Sequence, residues 1–377
     1  MDTKGRFVNH GKILAAGSAA ALALGVAACG SSSGGSSGNS GSSASSSGGS
    51  SAPVTLNGAG STFAAPFYQQ WAANLKDHGL TLNYAAVGSG DGVAQLTQGQ
   101  VDFAGSDPAL KPEEAAAIKK SPPVQIPTGF GAVTESYNLP GVKGGLKLDA
   151  PTSAKIFEKK ITKWNDPAIA SQNPGVKLPS TKITVVHRSD SSGTTKAFTT
   201  FLAGGDPNFE KTIGVDKTVN WPSGTTGAKG NAGVAAAVKQ TEGAIGYVEQ
   251  AYALQNNFTY ASIKNASGRF VAPSLQSVTA AGEGIKVPAD LAFSIVNSPN
   301  PAAYPVASQT FAITYQDLCK AGVGKSAAQG VVKFLKYGLT NGQSVLKQLS
   351  YAPLPQAIDQ KAMAVVNGLK CNGKAIA

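Results

Sequence analysis

The sequence predicts an α/β protein of two lobes joined by two crossings. Three observations carry that expectation. Strand-like and helix-like runs alternate from residue 53 onward, which is the pattern of a mainly parallel sheet covered by helices. Two long extended stretches, VQIPTGFGAVTESYNL at 124–139 and YPVASQTFAITY at 304–315, interrupt the alternation. About 325 residues follow the N-terminal segments, more than one hydrophobic core usually accommodates.

The elements follow in order. PVTLNGAG is a strand entering a glycine turn, and STFAAPFYQQWAANLKD has helical spacing, with Phe63, Phe67, Trp71 and Leu75 about one turn apart. TLNYAAVGS, DGVAQLTQGQ and VDFAGSD continue as strand, short helix and strand. KPEEAAAIKK is a helix with Pro112 in its first turn, where a missing N–H costs nothing. Beyond the first extended stretch come a helix at 152–160, the strand KITVVHR, a helix after RSDSSGTT, the helix NAGVAAAVKQ and the strand AIGYV. Helices around 326–337 and 356–368 close the chain. The expected division is 53–132 plus 312–377 for the first lobe and 133–311 for the second. The second crossing could instead fall near 248–260. No internal sequence repeat is visible.

The N-terminal 52 residues read differently. Lys4, Arg6 and Lys12 precede an apolar run at 13–28 that ends in small residues. A basic start, a short apolar segment and small residues before a cut describe a secretory signal over 1–28. The run is too short for a spanning helix. VAAC at 26–29 resembles a bacterial lipobox, and by that resemblance Cys29 becomes the lipidated first residue, palmitate being one acyl group. Residues 30–52 are almost entirely Ser and Gly and cannot bury apolar surface, so 29–52 reads as lipid attachment point and flexible tether. The expected location is the outer face of the cell membrane, reached through the lipid alone.

Composition excludes several classes. The formal charge is +11, of which residues 1–28 carry +2, leaving +9. The lysines are scattered, with no long basic run and no aromatic-rich RNA motif, so nucleic acid is not an expected partner. The excess reads as a mild field favouring anions. Cys319 and Cys371 are the only cysteines beyond Cys29, and in an oxidising compartment they are expected to form one disulfide. His78 and His187, the two histidines beyond the leader, lack metal-ligand spacing. No metal or cofactor is expected. Ser191 or Ser192 lacks a recognisable base. GVGKS at 322–326 would put the first glycine of a nucleotide loop on Cys319. No enzyme is expected.

Three short segments share one design. GAGST at 58–62, GSGDG at 88–92 and RSDSSGTT at 188–195 each follow a strand and begin a helix. Helix starts offer unpaired N–H donors and a partial positive charge, and in an open α/β sheet they gather where ligands bind. Ser and Thr are also ordinary N-caps, so one such turn says little. Three in one chain, one with Arg188, point to an oxyanion pocket.

These residues carry a resemblance. NGAGSTFAAPFYQQW, GSGDGVAQLTQGQVDFAGSDPAL, ITKWNDPAI, RSDSSGTTKAF and KGNAGVAAAVKQTEGAIGYVEQAYA resemble the high-affinity phosphate-binding proteins of bacterial phosphate ABC importers, the PstS family, from about residue 53 to the end. The resemblance implies a type II, Venus-flytrap periplasmic-binding-protein fold with two crossover hinge strands. It implies a non-catalytic protein, expected as a monomer, that captures inorganic phosphate between its lobes and delivers it to ABC importer permease subunits. Segment by segment it assigns phosphate contacts to Thr62, Phe63, Ser89, Asp107, Arg188, Ser192, Gly193 and Thr194. The extra Asp91 in GSGDG departs from expectation for an anion site and leaves a direct role for Gly90 or Asp91 open.

The chemistry of Asp107 supports its assignment. A carboxylate beside an anion repels it unless the ligand brings a proton, and phosphate near neutral pH keeps a P–OH that sulfate lacks. An acceptor facing another acceptor costs several kcal/mol, enough for about 10³ in selectivity. The bland alternative is a turn or cap role for Asp107. Asp190, two residues after Arg188, is expected to hold the guanidinium in plane by a bidentate pair. His187 would point to the other sheet face, and Trp71, Trp164 and Trp221 read as packing.

Overall fold

The computed structural model describes residues 53–142 and 144–376. The leader expected over 1–28, Cys29 and the tether to residue 52 lie outside the described residues. The first block contains β1 (Val54–Gly60), α1 (Ala65–Lys76), β2 (Leu80–Ala85), α2 (Ser89–Gln98), β3 (Phe103–Ser106) and α3 (Pro112–Ala117). β1 pairs in parallel with β2 and β3, as the alternation requires.

The first long extended stretch is one strand, β4 (Pro123–Tyr137). β5 (Lys147–Leu148), α4 (Ala150–Phe157), α5 (Pro167–Ala170), β6 (Thr184–Arg188), α6 (Gly193–Gly205), α7 (Pro207–Thr212), β7 (Thr226–Ala228), α8 (Gly230–Gln240) and β8 (Ala244–Glu249) follow. β6 pairs in parallel with β7 and β8. Next come α9 (Gln250–Gln255), β9 (Thr259–Tyr260), β10 (Ser262–Lys264), β11 (Phe270–Val271) and α10 (Leu275–Gly282). The second long stretch is β12 (Ala307–Tyr315), and α11 (Lys325–Gly338), α12 (Gly342–Gln348), α13 (Gln356–Asn367) and the short pair β13 (Lys370–Cys371) and β14 (Lys374–Ala375) end the chain.

Two local differences from the sequence expectation have physical reasons. The helix expected over 152–160 spans Ala150–Phe157: Asp149 caps its start by accepting from Thr152 N at 3.0 Å, and Lys159 turns to φ 59° just past its end. α12 was not expected; it is short and has no side-chain cap, so nothing local announces it.

The sheet order is β2-β1-β3-β12-β4-β8-β6-β7. Two parallel blocks, β2-β1-β3 and β8-β6-β7, are thus joined through β12 and β4, which run antiparallel to each other and to the strands that flank them. β4 changes partner along its length. It pairs with β12 up to Ala132 and with β8 from Val133, opposite Glu249. β4 also carries an irregularity: Pro127 and Gly129 oppose consecutive Phe311 and Thr310. Thr128 is the extra residue, as in a β-bulge, and sits beside a proline that has no N–H to donate. Trp71 and Trp164 are fully buried packing residues whose indole N–H groups reach Gly342 O and Gly243 O, each at 3.0 Å. Cys319 and Cys371 are joined as expected, with Cα atoms 4.6 Å apart. No helix among the described residues is long and apolar enough to cross a membrane.

The point where β4 switches partner holds a buried acid. Tyr351 Oη lies 2.7 Å from Phe63 O and 2.7 Å from Glu249 Oε2. Two O···O contacts of this length need two protons, and the phenol has one. The second comes from Glu249, which makes both contacts only in its neutral form, below about pH 8. Burial pushes the same carboxyl up to about 8, against the hydrogen bond from the Ala251 N–H, with the Asp107 charge adding to the rise. Glu135, buried within β4 with Ser153 Oγ donating to it, is also raised to about 8 by burial.

The sign of the linkage follows. Between the ordinary value of 4.5 and about 8, the folded chain holds protons that the unfolded chain has released. Stability from these groups is fully present below the lower value and is lost as pH rises through the upper one. Glu249→Gln, which keeps a neutral donor in place, is expected to fold at pH 7. Its thermal midpoint should fall less than that of the parent between pH 5 and pH 9. An identical pH dependence in both proteins would show that Glu249 is not the proton carrier.

Candidate functional site

Three helix starts meet across the two halves of the sheet. The β1–α1 turn brings Ser61, Thr62 and Phe63, and α2 begins at Ser89. β3 ends at Ser106 and delivers Asp107. From the other half, β6 ends at Arg188 and α6 begins at Gly193 with Ser192 as its N-cap, accepting from Thr195 N at 3.1 Å. The α8 start adds Asn231, a residue that sequence reasoning did not single out.

Asp107 is 1% exposed. Its Oδ1 accepts from Ser61 Oγ and from Thr310 Oγ1, the latter at 2.8 Å. Its Oδ2 accepts from Ser89 Oγ at 3.4 Å, and Ser89 Oγ accepts from the Asp107 N–H at 3.3 Å. Burial raises the carboxyl to about 6, opposed by the hydrogen bonds from Ser61 and Thr310 and by the charge of Arg188. It is therefore largely ionised above neutral pH. Helix capping does not describe this side chain, whose partners are hydroxyls from three separate elements.

Arg188 is 3% exposed. Nε donates to Asp190 Oδ1 at 2.7 Å and Nη2 to Asp190 Oδ2, the bidentate fork expected from the sequence. Nη1 donates to Thr194 Oγ1 at 3.3 Å, and the Arg188 N–H donates to Tyr247 Oη at 3.1 Å. Burial alone would raise the Asp190 carboxyl. The hydrogen bonds and charge of Arg188, with the Gly230 N–H at 3.0 Å, hold it below the usual carboxylate range. Two of the five guanidinium N–H donors are left without a protein acceptor among the described residues. His187 stacks on the Trp221 ring, with centroids 5.2 Å apart, and takes no part.

The two halves touch at small residues. A β-carbon at Gly193 would fall 2.4 Å from Asp107 Oδ2 and 2.5 Å from Ser89 Oγ. A β-carbon at Gly88 would fall 2.6 Å from Asp190 Oδ2, and Gly88 also sits at φ 105°. Only bare backbone fits these two positions. The Gly90 N–H donates to Ser191 O at 3.0 Å, while Asp91 is exposed. The extra acid of GSGDG is a helix-start charge in solvent. Tyr252 Oη donates to Thr62 O at 2.7 Å, and Lys111 pairs with Asp216 at 2.6 Å and Lys217 with Glu114. The Lys111–Asp216 pair is exposed and contributes little, whereas Lys217 is buried.

The residues assigned from the sequence as phosphate contacts lie in one cluster. Thr62 and Thr194 contact Asn231, Thr194 contacts Arg188, Ser89 contacts Asp107, and Gly193 packs on both of the latter. Phe63 follows Thr62, its ring buried against Tyr351. The N–H groups of Phe63, Gly193 and Thr194 take no protein acceptor among the described residues. Converging donors around one ionised acid are the complement of an anion that has a proton to give. Three contributors escaped the sequence reading. Ser61 stood inside the quoted GAGST turn, and Asn231 inside GNAG, a fourth glycine-rich helix start. Thr310 arrives from β12, some 200 residues away in the chain, and had no local signal.

Comparisons with known proteins agree with this geometry. A family model for the PBP superfamily domain matches residues 42–341. The chain is 40% identical over 308 residues to the phosphate-binding protein PstS of Xylella fastidiosa strain 9a5c, covering 80% of this chain and 82% of that one. It is 38% identical over 314 residues to the phosphate-binding protein PstS of Pasteurella multocida, covering 82% and 89%. A solved phosphate-binding protein from Stenotrophomonas maltophilia superposes with a TM-score of 0.67 at 21% identity, covering 86% of this chain and 99% of that one. The last likeness establishes the two-lobed periplasmic-binding-protein fold.

Gly193→Ala tests the contact between the halves. Overpacking of this kind costs about 1–3 kcal/mol, which is relieved only by separating α6 from Asp107 and Ser89. The variant should show a larger radius of gyration by small-angle X-ray scattering than the parent under conditions that close the parent. Unchanged scattering would mean that the two halves are not held at Gly193.

Proposed function

This chain belongs to the PstS family of phosphate-binding proteins, within the PBP superfamily, and we propose that it captures one inorganic phosphate between its lobes and delivers it to an ABC-type membrane permease. The observation that carries the reading is the inventory of donors and acceptors. Arg188, Ser192, Gly193, Thr194, Thr62 and Phe63 present donors; Asp107 alone presents a charged acceptor. Sulfate offers four acceptors and no proton, so one of its oxygens would face the Asp107 carboxylate. Hydrogen phosphate offers a P–OH to that same carboxylate. Ser89 is the remaining contact, placed on Asp107 Oδ2.

Ligand groups come from both lobes, so only the closed arrangement satisfies all of them and phosphate shifts the population toward closure. The lobes we propose comprise residues 53–132 with 312–377, and 133–311. The partner change along β4 after Ala132 supports the first boundary, and the pairing of β12 with β3 from Phe311 supports the second. The role is binding without catalysis, as a monomer. We place the protein outside the cytoplasm, with residues 1–28 as its removed signal and lipidated Cys29 and the Ser/Gly tether holding it to the membrane.

Calorimetry with both anions tests the reading. One orthophosphate per chain and at least about 10³ weaker sulfate binding are expected at pH 8. Equal affinities would remove the Asp107 argument. Asp107→Asn should bring sulfate binding up toward that of phosphate. In the parent the same gain should appear as pH falls below about 6, where the carboxyl takes up its own proton. Sulfate that stays undetectable in the Asn variant would show that Asp107 is not the acceptor. Arg188→Ala should lose about 3–5 kcal/mol of binding, more than about 100-fold in Kd. An unchanged Kd would take Arg188 out of the site.

A further inference from the structure

We propose that Asn231 is the residue that makes Thr62 and Thr194 act as hydrogen-bond donors to the anion, and so sets the polarity of the site without touching the ligand. The inference rests on the phosphate reading above and deepens it.

Asn231 is fully buried. Its Oδ1 accepts from the Glu249 N–H at 3.0 Å. A backbone N–H only donates, so this contact fixes which end of the amide is oxygen. The amide nitrogen therefore faces the other way, toward Thr62 Oγ1 at 2.8 Å and Thr194 Oγ1 at 3.3 Å. Asn231 spends its two amide protons on hydroxyls from opposite lobes.

The consequence lies in the lone pairs of those hydroxyls. Thr62 Oγ1 also accepts from the Asn231 N–H at 3.3 Å. Thr194 Oγ1 also accepts from Arg188 Nη1 at 3.3 Å. Each oxygen thus receives two N–H groups that cannot reverse, which fills the two acceptor positions of a hydroxyl. What remains to each is its proton. Among the described residues no protein group accepts either one, although both side chains are buried. Buried hydroxyl protons without an acceptor are costly unless a ligand accepts them. Both hydroxyls are therefore held as donors before the ligand arrives. A threonine hydroxyl left to itself rotates and can present a lone pair, which an anion would repel.

The arrangement also explains why Asn231 stands at the start of α8 behind a glycine. Gly230 sits at φ 69° and a β-carbon there would approach Thr62 Cγ2 to 3.4 Å. That turn lets the Asn231 N–H and its side-chain amide reach one oxygen together. On the other side Glu249 is the last residue of β8, opposite Val133 at the partner change of β4. Asn231 thus ties the ligand hydroxyls of both lobes to the strand at the crossing.

A triple-mutant comparison tests this with inorganic phosphate as the probe. Asn231→Ala in the parent should weaken phosphate binding by about 30-fold, as expected for groups acting in one network. In a Thr62→Val, Thr194→Val background, where the hydroxyls are gone, Asn231→Ala should cost less than about threefold. A residue that only supports the fold would cost the same in both backgrounds, and equal losses would overturn the proposal. So would an unchanged Kd for Asn231→Ala in the parent. Thermal midpoints of the ligand-free proteins report on folding. If Asn231→Ala fails to fold, Asn231→Ser enters the same comparison. Failure of the phosphate reading is distinguishable: the unmutated protein would then show no phosphate binding at all.

Discussion

Asp107 is an ionisable acid sealed between the lobes, with a buried arginine on the facing jaw. Three hydroxyls from Ser61, Ser89 and Thr310 keep it able to carry charge, and bare backbone at Gly193 lies against it. The surrounding structure follows from the demands of that carboxylate. Its burial raises its pKa, so it needs hydroxyl donors to stay ionised near neutral pH. Those donors come from β1–α1, α2 and β12, which must therefore converge. The charge of Arg188 must in turn be held away from a direct ion pair with Asp107, and Asp190 does this by taking two of its N–H groups.

Hydrogen-bond direction is what turns this cluster into a selective site. Helix starts supply N–H groups that only donate. Arg188 only donates, and Asn231 forces two threonines to do likewise. Against all these stands one acceptor. Such a site favours a tetrahedral anion that is mostly acceptor and carries one proton. The same logic reaches the crossing, where a shared chain of protons runs from Phe63 O through Tyr351 to Glu249. The strand β4 carries both partners of the sheet, so site and crossing belong to one framework.

Much of this was legible in the sequence because its signals are local. Alternating runs marked the parallel blocks, two long extended runs marked β4 and β12, and Arg188 with Asp190 two residues later announced a fork. The three glycine-rich helix starts named most of the cluster. What stayed hidden is nonlocal. Thr310 reaches Asp107 only through the antiparallel placing of β12 beside β3, and nothing in its own neighbourhood says so. Asn231 reads locally as a helix-start residue; its role depends on hydroxyls from two other elements. The raised pKa of Glu249 comes from its burial, and its hydroxyl neighbour Tyr351 lies about a hundred residues further along. Asp91 shows the converse, a residue conspicuous in the motif that the fold turns out to solvent.

The central claim is that Asp107 accepts a proton from the anion while Arg188 and the hydroxyls donate to it. A neutron or ultrahigh-resolution X-ray structure of the protein with phosphate near pH 8 tests this most directly. The expected result is a phosphate oxygen within hydrogen-bond distance of Asp107, with the proton between them, and the Thr62 and Thr194 hydroxyl protons directed at the anion. Phosphate bound at Arg188 with Asp107 out of reach, or a bound anion with no proton toward Asp107, would contradict the account.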